Sequence, residues 1–284
     1  MPAKTATLSV PLPATGLAAV VFDWAGTVLD FGSLAPMGAF VWLFKRHGVP
    51  ITIDEARVPM GLPKWDHIRV LGRQPRIAAA WLDRKGRPFD DRDVDALYEE
   101  FTPMNAAAVR EHAELIPGVA DVIRALRARG IRVGSTTGYN RPIMEVLAPL
   151  AAGRGFAPDN LVCAGDVPQN RPSPLGMYRC FLDLGVWPAH RVLKVDDTVP
   201  GLLEGRHAGC WTVGITATGN AMGLTEAEWT ALGAAERHTR LVAAEATLGE
   251  AHADFLLPSV AELMPLVDEI GHRLARGERP GRVD

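Results

Sequence analysis

Five places in this 284-residue chain gather side chains able to do chemistry. Asp23 ends the apolar run Val20-Val21-Phe22 in the stretch VVFDWAGTVLD (20–30). Ser135-Thr136-Thr137-Gly138 closes a second apolar run, Arg171 lies in the loop after a third, and Asp196-Asp197 ends a fourth. Each of these runs reads as a strand, and ligands of open parallel sheets bind beyond the carboxyl ends of the strands. The four clusters would therefore meet in one place. Singly, each has an ordinary explanation. A strand-end aspartate can cap a helix, Ser-Thr-Thr-Gly can form a turn, an arginine can sit on the surface, and an Asp pair can bind nothing. All four together, in this order, point to a site. The fifth place is Lys64. It follows Pro63, which suits the first turn of a helix, so Lys64 stands at a helix N-terminus. The positive end of the helix dipole disfavours an ammonium there, and desolvation acts in the same direction. A neutral amine is the form that condenses with a carbonyl to give an imine. His67, three residues on, shares the helical face of Lys64 and could pass protons during that condensation. Trp65, Ile68 and Leu71 would pack the other side.

The elements that must position these residues can be read from periodicity. Residues 17–23 read as a fully buried strand. Residues 36–112 read as helices over 36–47, 63–71, 74–83 and 92–112, with no convincing strand. After Pro117-Gly118 the pattern alternates. Strands are expected over 131–136, 161–164, 191–195, 211–215 and 253–257. Helices are expected over 119–129, 141–150, 174–184, 199–208, a polar stretch at 225–248, and 259–276. Such alternation predicts an α/β fold, a parallel sheet covered on both faces, with an all-helical cap inserted after the first strand. The expected division is a core of residues 1–32 and 113–284 and a helical cap of residues 33–112. Two linkers, near 31–35 and 112–117, would let the cap open and close. Gly32 and Gly61 read as backbone hinges. Residues 1–16 read as a loose arm and 277–284 as a frayed tail.

Composition excludes several classes of partner. At 48% hydrophobic and 22% charged residues, with a formal net charge of -3, the chain has no overall polyanion-binding character, although a local basic pocket is compatible with it. No nucleic-acid or membrane partner is expected. Cys163, Cys180 and Cys210 are widely spaced and form no CxxC pair, so three reduced, buried thiols of a cytoplasmic protein are expected. The first residues lack the apolar core of a signal peptide, and no apolar run approaches transmembrane length. The remaining histidines have no metal-ligand spacing.

The stretch DWAGT (23–27) resembles the nucleophile loop of the haloacid dehalogenase (HAD) superfamily, and the order of the other clusters matches it. The resemblance implies a HAD-like Rossmannoid core. It implies that Asp23 attacks phosphorus to form an aspartyl phosphate, and that Thr136 or Thr137, beside Gly138, holds a phosphoryl oxygen. Arg171 would neutralise phosphate and nucleophile. Asp23, the main-chain carbonyl of Ala25, and Asp197 helped by Asp196 would hold Mg2+. Many HAD enzymes carry a further aspartate four residues after the first metal aspartate, where this chain has Gly201. Most HAD phosphatases also carry, where this chain has Ala25, a second aspartate that acts as general acid.

The insert motif PMGLPKWDHIRVL (59–71) bears on that absence. Together with DWAGTVLDFGSLAP (23–36), GSTTGY (134–139), RP (171–172) and EGRHAGCWTVG (204–214), it resembles the phosphonoacetaldehyde hydrolase family over about residues 17–270. The resemblance implies cleavage of a carbon–phosphorus bond to acetaldehyde and phosphate, in degradation of 2-aminoethylphosphonate. Heterolysis of that bond leaves a carbanion, which needs an electron sink rather than a proton on oxygen. An imine on Lys64 is the sink the family uses, and Ala25 leaves space for it. Met60 matches a residue beside the imine, Tyr139 matches an active-site tyrosine, and a homodimer is implied. Two rival functions are a HAD phosphatase or phosphomutase acting on a phosphate ester, and an inactive phosphate-binding HAD-fold protein. The first calls for an aspartate at position 25. The second gives no reason to keep Asp23, Lys64, Arg171 and Asp197 together.

Overall fold

The computed structural model describes residues 16–281. Almost all of the expected N-terminal arm and the end of the expected tail lie outside the described residues. Six strands, β1 (Ala19–Phe22), β2 (Arg132–Asn140), β3 (Val162–Ala164), β4 (Val192–Asp196), β5 (Trp211–Ile215) and β6 (Phe255–Leu257), form one sheet in the order β3-β2-β1-β4-β5-β6. Every adjacent pair is parallel. The central strand is buried along its whole length, as expected where helices cover both faces. Its side chains alternate between two cores. Val20 and Phe22 pack with Ile123 and Leu126 of α6 (Val119–Ala128) and with Val267 and Ile270 of α12 (Leu263–Ala275). Ala19 and Val21 pack with Met177 and Cys180 of α8 (Leu175–Leu184). The register pairs Phe22 with both Ser135 and Val195. Asp23, Thr136 and Asp196, each the next residue along its strand, therefore stand side by side.

Between β1 and α6 lie five helices: α1 (Ala35–Arg46), α2 (Ile53–Arg57), α3 (Lys64–Arg73), α4 (Pro75–Lys85) and α5 (Asp91–Glu111). They close around their own apolar cluster, in which Phe40 stacks on Phe101 with ring centroids 4.3 Å apart and Leu71, Ile77 and Trp81 are buried. The two chain crossings that join them to the sheet are tied together. Asp30 Oδ1 and Oδ2 accept from the backbone N–H groups of Leu34 and Ala35, each at 3.0 Å, and His112 Nδ1 lies 3.3 Å from Asp30 Oδ1. Ile116 N–H donates to Val28 O at 3.0 Å.

Four details depart from the periodicity. Helix α2 was not expected, although Thr52 and Glu55 form a capping box at its start. β2 runs to Asn140 rather than ending at 136, because Thr136 and Asn140 pair with Val162 and Ala164 of β3 across an irregularity in register. The polar stretch at 225–248 is two helices, α10 (Glu226–Ala231) and α11 (Ala234–Gly249). Leu232 and Gly233 are extended between them, with Gly233 as the N-terminal cap of the second. The last helix is preceded by a short 3-10 turn, Val260–Glu262. The three cysteines are free and buried, as expected. Among the described residues no helix is long and apolar enough to cross a membrane.

Candidate active site

Immediately after β1 the chain turns tightly around the carbonyl of Trp24, which accepts from the N–H groups of Thr27 at 3.2 Å and Val28 at 2.8 Å. Gly26 has φ +80°, and a Cβ there would lie 2.1 Å from Asp197 Oδ2. Glycine is what lets this loop close on Asp197. Thr27 Oγ1 donates to Asp197 Oδ1 at 3.2 Å, and the Asn220 N–H donates to Oδ2 at 2.7 Å. The Asp23 N–H donates to Val195 O at 2.9 Å, continuing the sheet register by one residue.

Asp23, Asp196 and Asp197 are all buried, and each offers an oxygen within 4.8 Å of the others. Burial, reinforced by the charge of Asp196, pushes the Asp23 carboxyl up to about 6 against the pull of Arg171 and Lys194. Asp197 is pushed well above the usual carboxylate range by burial, then by Asp23 and Asp196. Burial also opposes the charge of Asp196, but Arg171 and Lys194 hold it below that range. Asp196 Oδ1 accepts from Thr198 N–H at 3.1 Å and Thr198 Oγ1 at 2.7 Å. A Cβ on Gly201 would lie 2.0 Å from its carboxylate. The space beside position 201 is thus occupied by the Asp196 carboxylate. Converging buried carboxylates that oppose one another's ionisation fit a hard divalent cation with oxygen ligands.

Arg171 gathers the phosphate-side groups. Its Nη1 lies 2.8 Å from Asp23 Oδ1 and its Nε 3.0 Å from Glu204 Oε2, while Nη2 donates to Thr136 O at 2.8 Å and Thr136 Oγ1 at 2.7 Å. Lys194, fully buried inside β4, places Nζ 3.0 Å from Asp196 Oδ2, 3.4 Å from Glu204 Oε2 and 2.7 Å from Thr136 Oγ1. Thr136 Oγ1 in turn donates to Glu204 Oε2 at 2.7 Å. The Thr136 hydroxyl is therefore fully committed. Thr137 is different: its Oγ1 accepts only from Tyr139 N–H, at 3.1 Å, and it lines the cavity described next. Lys194 and Glu204 were not anticipated. The signal was present in VLKVDD, because a lysine inside an apolar strand requires a buried acid.

Lys64 opens α3, with Pro63 as its N-terminal cap, and only 4% of its surface is exposed. It lines a cavity together with Asp23, Ala25, Met60, Thr137, Tyr139 and Arg171. Gly61, Gly138 and Thr198 complete the wall, as does Ser33, which the sequence reading did not single out. Burial lowers the lysine to about 8, Arg171 acts in the same direction, and Asp23 opposes both. Nζ lies 3.7 Å from Met60 Sδ, 5.1 Å from the centroid of the Tyr139 ring and 5.7 Å from that of Phe40. The loop before Lys64 is seated between two core elements by glycines. Gly61 has φ +90° and a Cβ there would meet Thr198 Oγ1 at 2.3 Å, while a Cβ on Gly138 would lie 3.0 Å from Leu62 O.

His67 is brought near Lys64 but does not line the cavity. Its Nε2 is 2.8 Å from Ala56 O and its ring stacks on Phe40 at 4.0 Å. Burial, then the charge of Lys64, pushes it well below its ordinary range, so it is neutral. With Nε2 donating to the carbonyl, Nδ1 is a buried free acceptor. The Tyr139 hydroxyl is also buried without a hydrogen-bond partner.

An aspartate beyond the first strand of a parallel sheet, an arginine and a threonine from later loops and an acidic cluster at the fourth strand are the arrangement of the haloacid dehalogenase-like hydrolases. The family model of that description matches residues 17–209. The phosphonoacetaldehyde hydrolase of Paraburkholderia xenovorans is 53% identical over 262 residues, covering 92% of this chain and 98% of its own. That of Aeromonas hydrophila is 47% identical, covering 94% and 97%. The crystal structure of a phosphonoacetaldehyde hydrolase-like protein from Oleispira antarctica superposes with a TM-score of 0.92 at 42% identity, covering 95% of this chain and 98% of that one. The chain belongs to the phosphonoacetaldehyde hydrolase family.

Proposed function

We propose that this chain hydrolyses phosphonoacetaldehyde to acetaldehyde and phosphate by cleaving its carbon–phosphorus bond, in degradation of 2-aminoethylphosphonate. The observation that carries the reading is one cavity lined by both Lys64, lowered to about 8, and Asp23, with Ala25 rather than a second aspartate in its wall. Residues 33–112 act as the cap that brings Lys64 over the core, and closure excludes water. The Lys64 amine adds to the aldehyde carbon and expels water as the imine forms. Arg171 and Thr137 orient the phosphonate, and an Asp23 oxygen attacks phosphorus. The carbon–phosphorus bonding pair moves into the protonated imine and gives an enamine, and phosphorus passes to Asp23. Protonation at carbon and hydrolysis free acetaldehyde and Lys64, and a second water splits the aspartyl phosphate.

Neutral His67, through Nδ1, and Tyr139 move protons beside the imine, with Met60 packed against it. Asp23, the Ala25 carbonyl and Asp197, supported by Asp196, would hold Mg2+, which would supply charge neutralisation for the phosphoryl oxygens. The family resemblance also supports a cytoplasmic homodimer. The test is turnover of phosphonoacetaldehyde with magnesium, scored for both products. Equal amounts of acetaldehyde and phosphate are expected, with simple phosphate esters hardly touched. Ester hydrolysis without acetaldehyde release would replace this reading with a phosphatase.

A further inference from the structure

Arg57 closes α2 and takes no part in the chemistry described above. It lies outside the cavity wall, yet it is the hub of a contact between the lysine-bearing segment and two other parts of the molecule. Nη1 donates to Gly32 O at 2.9 Å and reaches both oxygens of Asn220, Oδ1 at 3.0 Å and the backbone O at 3.3 Å. Nη2 donates to Gly223 O at 3.2 Å. Gly32 belongs to the first linker, and Asn220 and Gly223 to the loop after β5. The same Asn220 presents its N–H to Asp197 Oδ2 at 2.7 Å.

The surroundings are shaped for this side chain. A Cβ on Gly223, whose φ is +65°, would lie 2.7 Å from the guanidinium, and a Cβ on Gly32, whose φ is +83°, would lie 2.1 Å from Leu224 O. Between Arg57 and Lys64 the chain makes a single short loop, pinned at Gly61 against Thr198. Three of the four acceptors are backbone carbonyls and the fourth is an amide oxygen. Such a contact can open and close without leaving a buried carboxylate unpaired. It also needs the planar fork of arginine, because a lysine ammonium cannot serve acceptors spread over two segments in the same way.

We propose that Arg57 is a positioning residue, the latch that seats the lysine-bearing segment on the core and ties that seating to the Asp197 carboxylate through Asn220. The proposal rests on the reading that Lys64 and Asp23 act on one substrate. Opening the segment breaks all four contacts, and closing it fixes the Asn220 loop in the position that holds Asp197.

The test compares Arg57→Ala and Arg57→Lys with the unaltered full chain, by steady-state turnover of phosphonoacetaldehyde and by hydrogen–deuterium exchange. In Arg57→Ala, kcat/KM is expected to fall about tenfold or more, since misplacement of a reacting group is costly. Millimolar guanidinium is expected to restore part of the loss, and Arg57→Lys is expected not to. A merely structural role would give no such rescue. Exchange is expected to quicken at residues 58–64 and 219–224 together, with β1 and β4 unchanged. Kinetic constants within about twofold of the unaltered chain, or exchange that quickens in neither segment or only one, overturn the latch. If Arg57→Ala does not fold, the same exchange comparison on Arg57→Lys decides. If the unaltered chain releases no acetaldehyde, the functional reading fails, and the exchange data still decide the latch.

Discussion

Replacing Lys64 by methionine is expected to end the reaction and to make the folded protein more stable at neutral pH. Methionine keeps the length and apolar bulk of the side chain and removes the ammonium. In the fold the lysine drops from its ordinary 10.5 to about 8, chiefly through burial. That difference corresponds to about 3 kcal/mol spent on keeping a proton in a dry site. The direction with pH follows from proton counts. Below pH 8 the lysine is protonated in both states and the full cost is present. Between about 8 and 10.5 the unfolded chain holds the proton and the folded chain has released it, so the unaltered protein gains stability as pH rises. The advantage of Lys64→Met is therefore largest at neutral pH and fades across that interval. Against the modest net stability of a folded domain, about 3 kcal/mol is easily read from urea unfolding followed at several pH values. The same shift serves the chemistry. At pH 7 about a tenth of a lysine lowered to about 8 is the neutral amine, against less than about one part in a thousand of an ordinary lysine. A variant that is no more stable at pH 7, or whose advantage persists unchanged above pH 10.5, would refute the argument that burial sets this lysine.

Three further outcomes follow from the same contacts. Asp23→Asn removes the group that most favours the Lys64 ammonium, so the midpoint for imine formation should move below about 8 while phosphate release is lost; a midpoint that rises contradicts this. Glu204→Gln leaves Arg171 and Lys194 short of a buried anion and should cost about 3 kcal/mol or more of stability in urea unfolding. Thr137→Val should weaken substrate binding with little effect on stability, whereas Thr136→Val should destabilise the fold by breaking the contacts with Glu204, Arg171 and Lys194, and the reverse pattern would exchange their assignments.

Much of this arrangement is legible in the sequence because it follows from polarity along the chain. β1 is a continuous apolar run and β4 one broken only by Lys194, and both lead into acids, so their strands and the carboxylates at their ends are plain. Lys64 after Pro63 announces a helix start, and it is one. What escapes is whatever depends on a partner far away in sequence. Lys194 is an oddity in a strand until Glu204 and Asp196 are seen around it. Thr136 and Thr137 are equivalent neighbours until one faces Glu204 and the other the cavity. Gly201 looks like a lost ligand until the Asp196 carboxylate is found occupying its side-chain space. β2 overruns its expected end because β3 offers it a further pairing at Asn140, and α10 and α11 separate at a glycine that a helical polarity pattern hides. Helix α2 was missed although its capping box was readable, and Arg57 was missed with it.

The most direct test of the central claim is borohydride trapping. The protein is mixed with phosphonoacetaldehyde and magnesium, borohydride is added, and the modified peptide is mapped by mass spectrometry. A reduced adduct on Lys64, formed in proportion to the activity lost, is the predicted result. An adduct on another lysine, or none while acetaldehyde is still released, would contradict it.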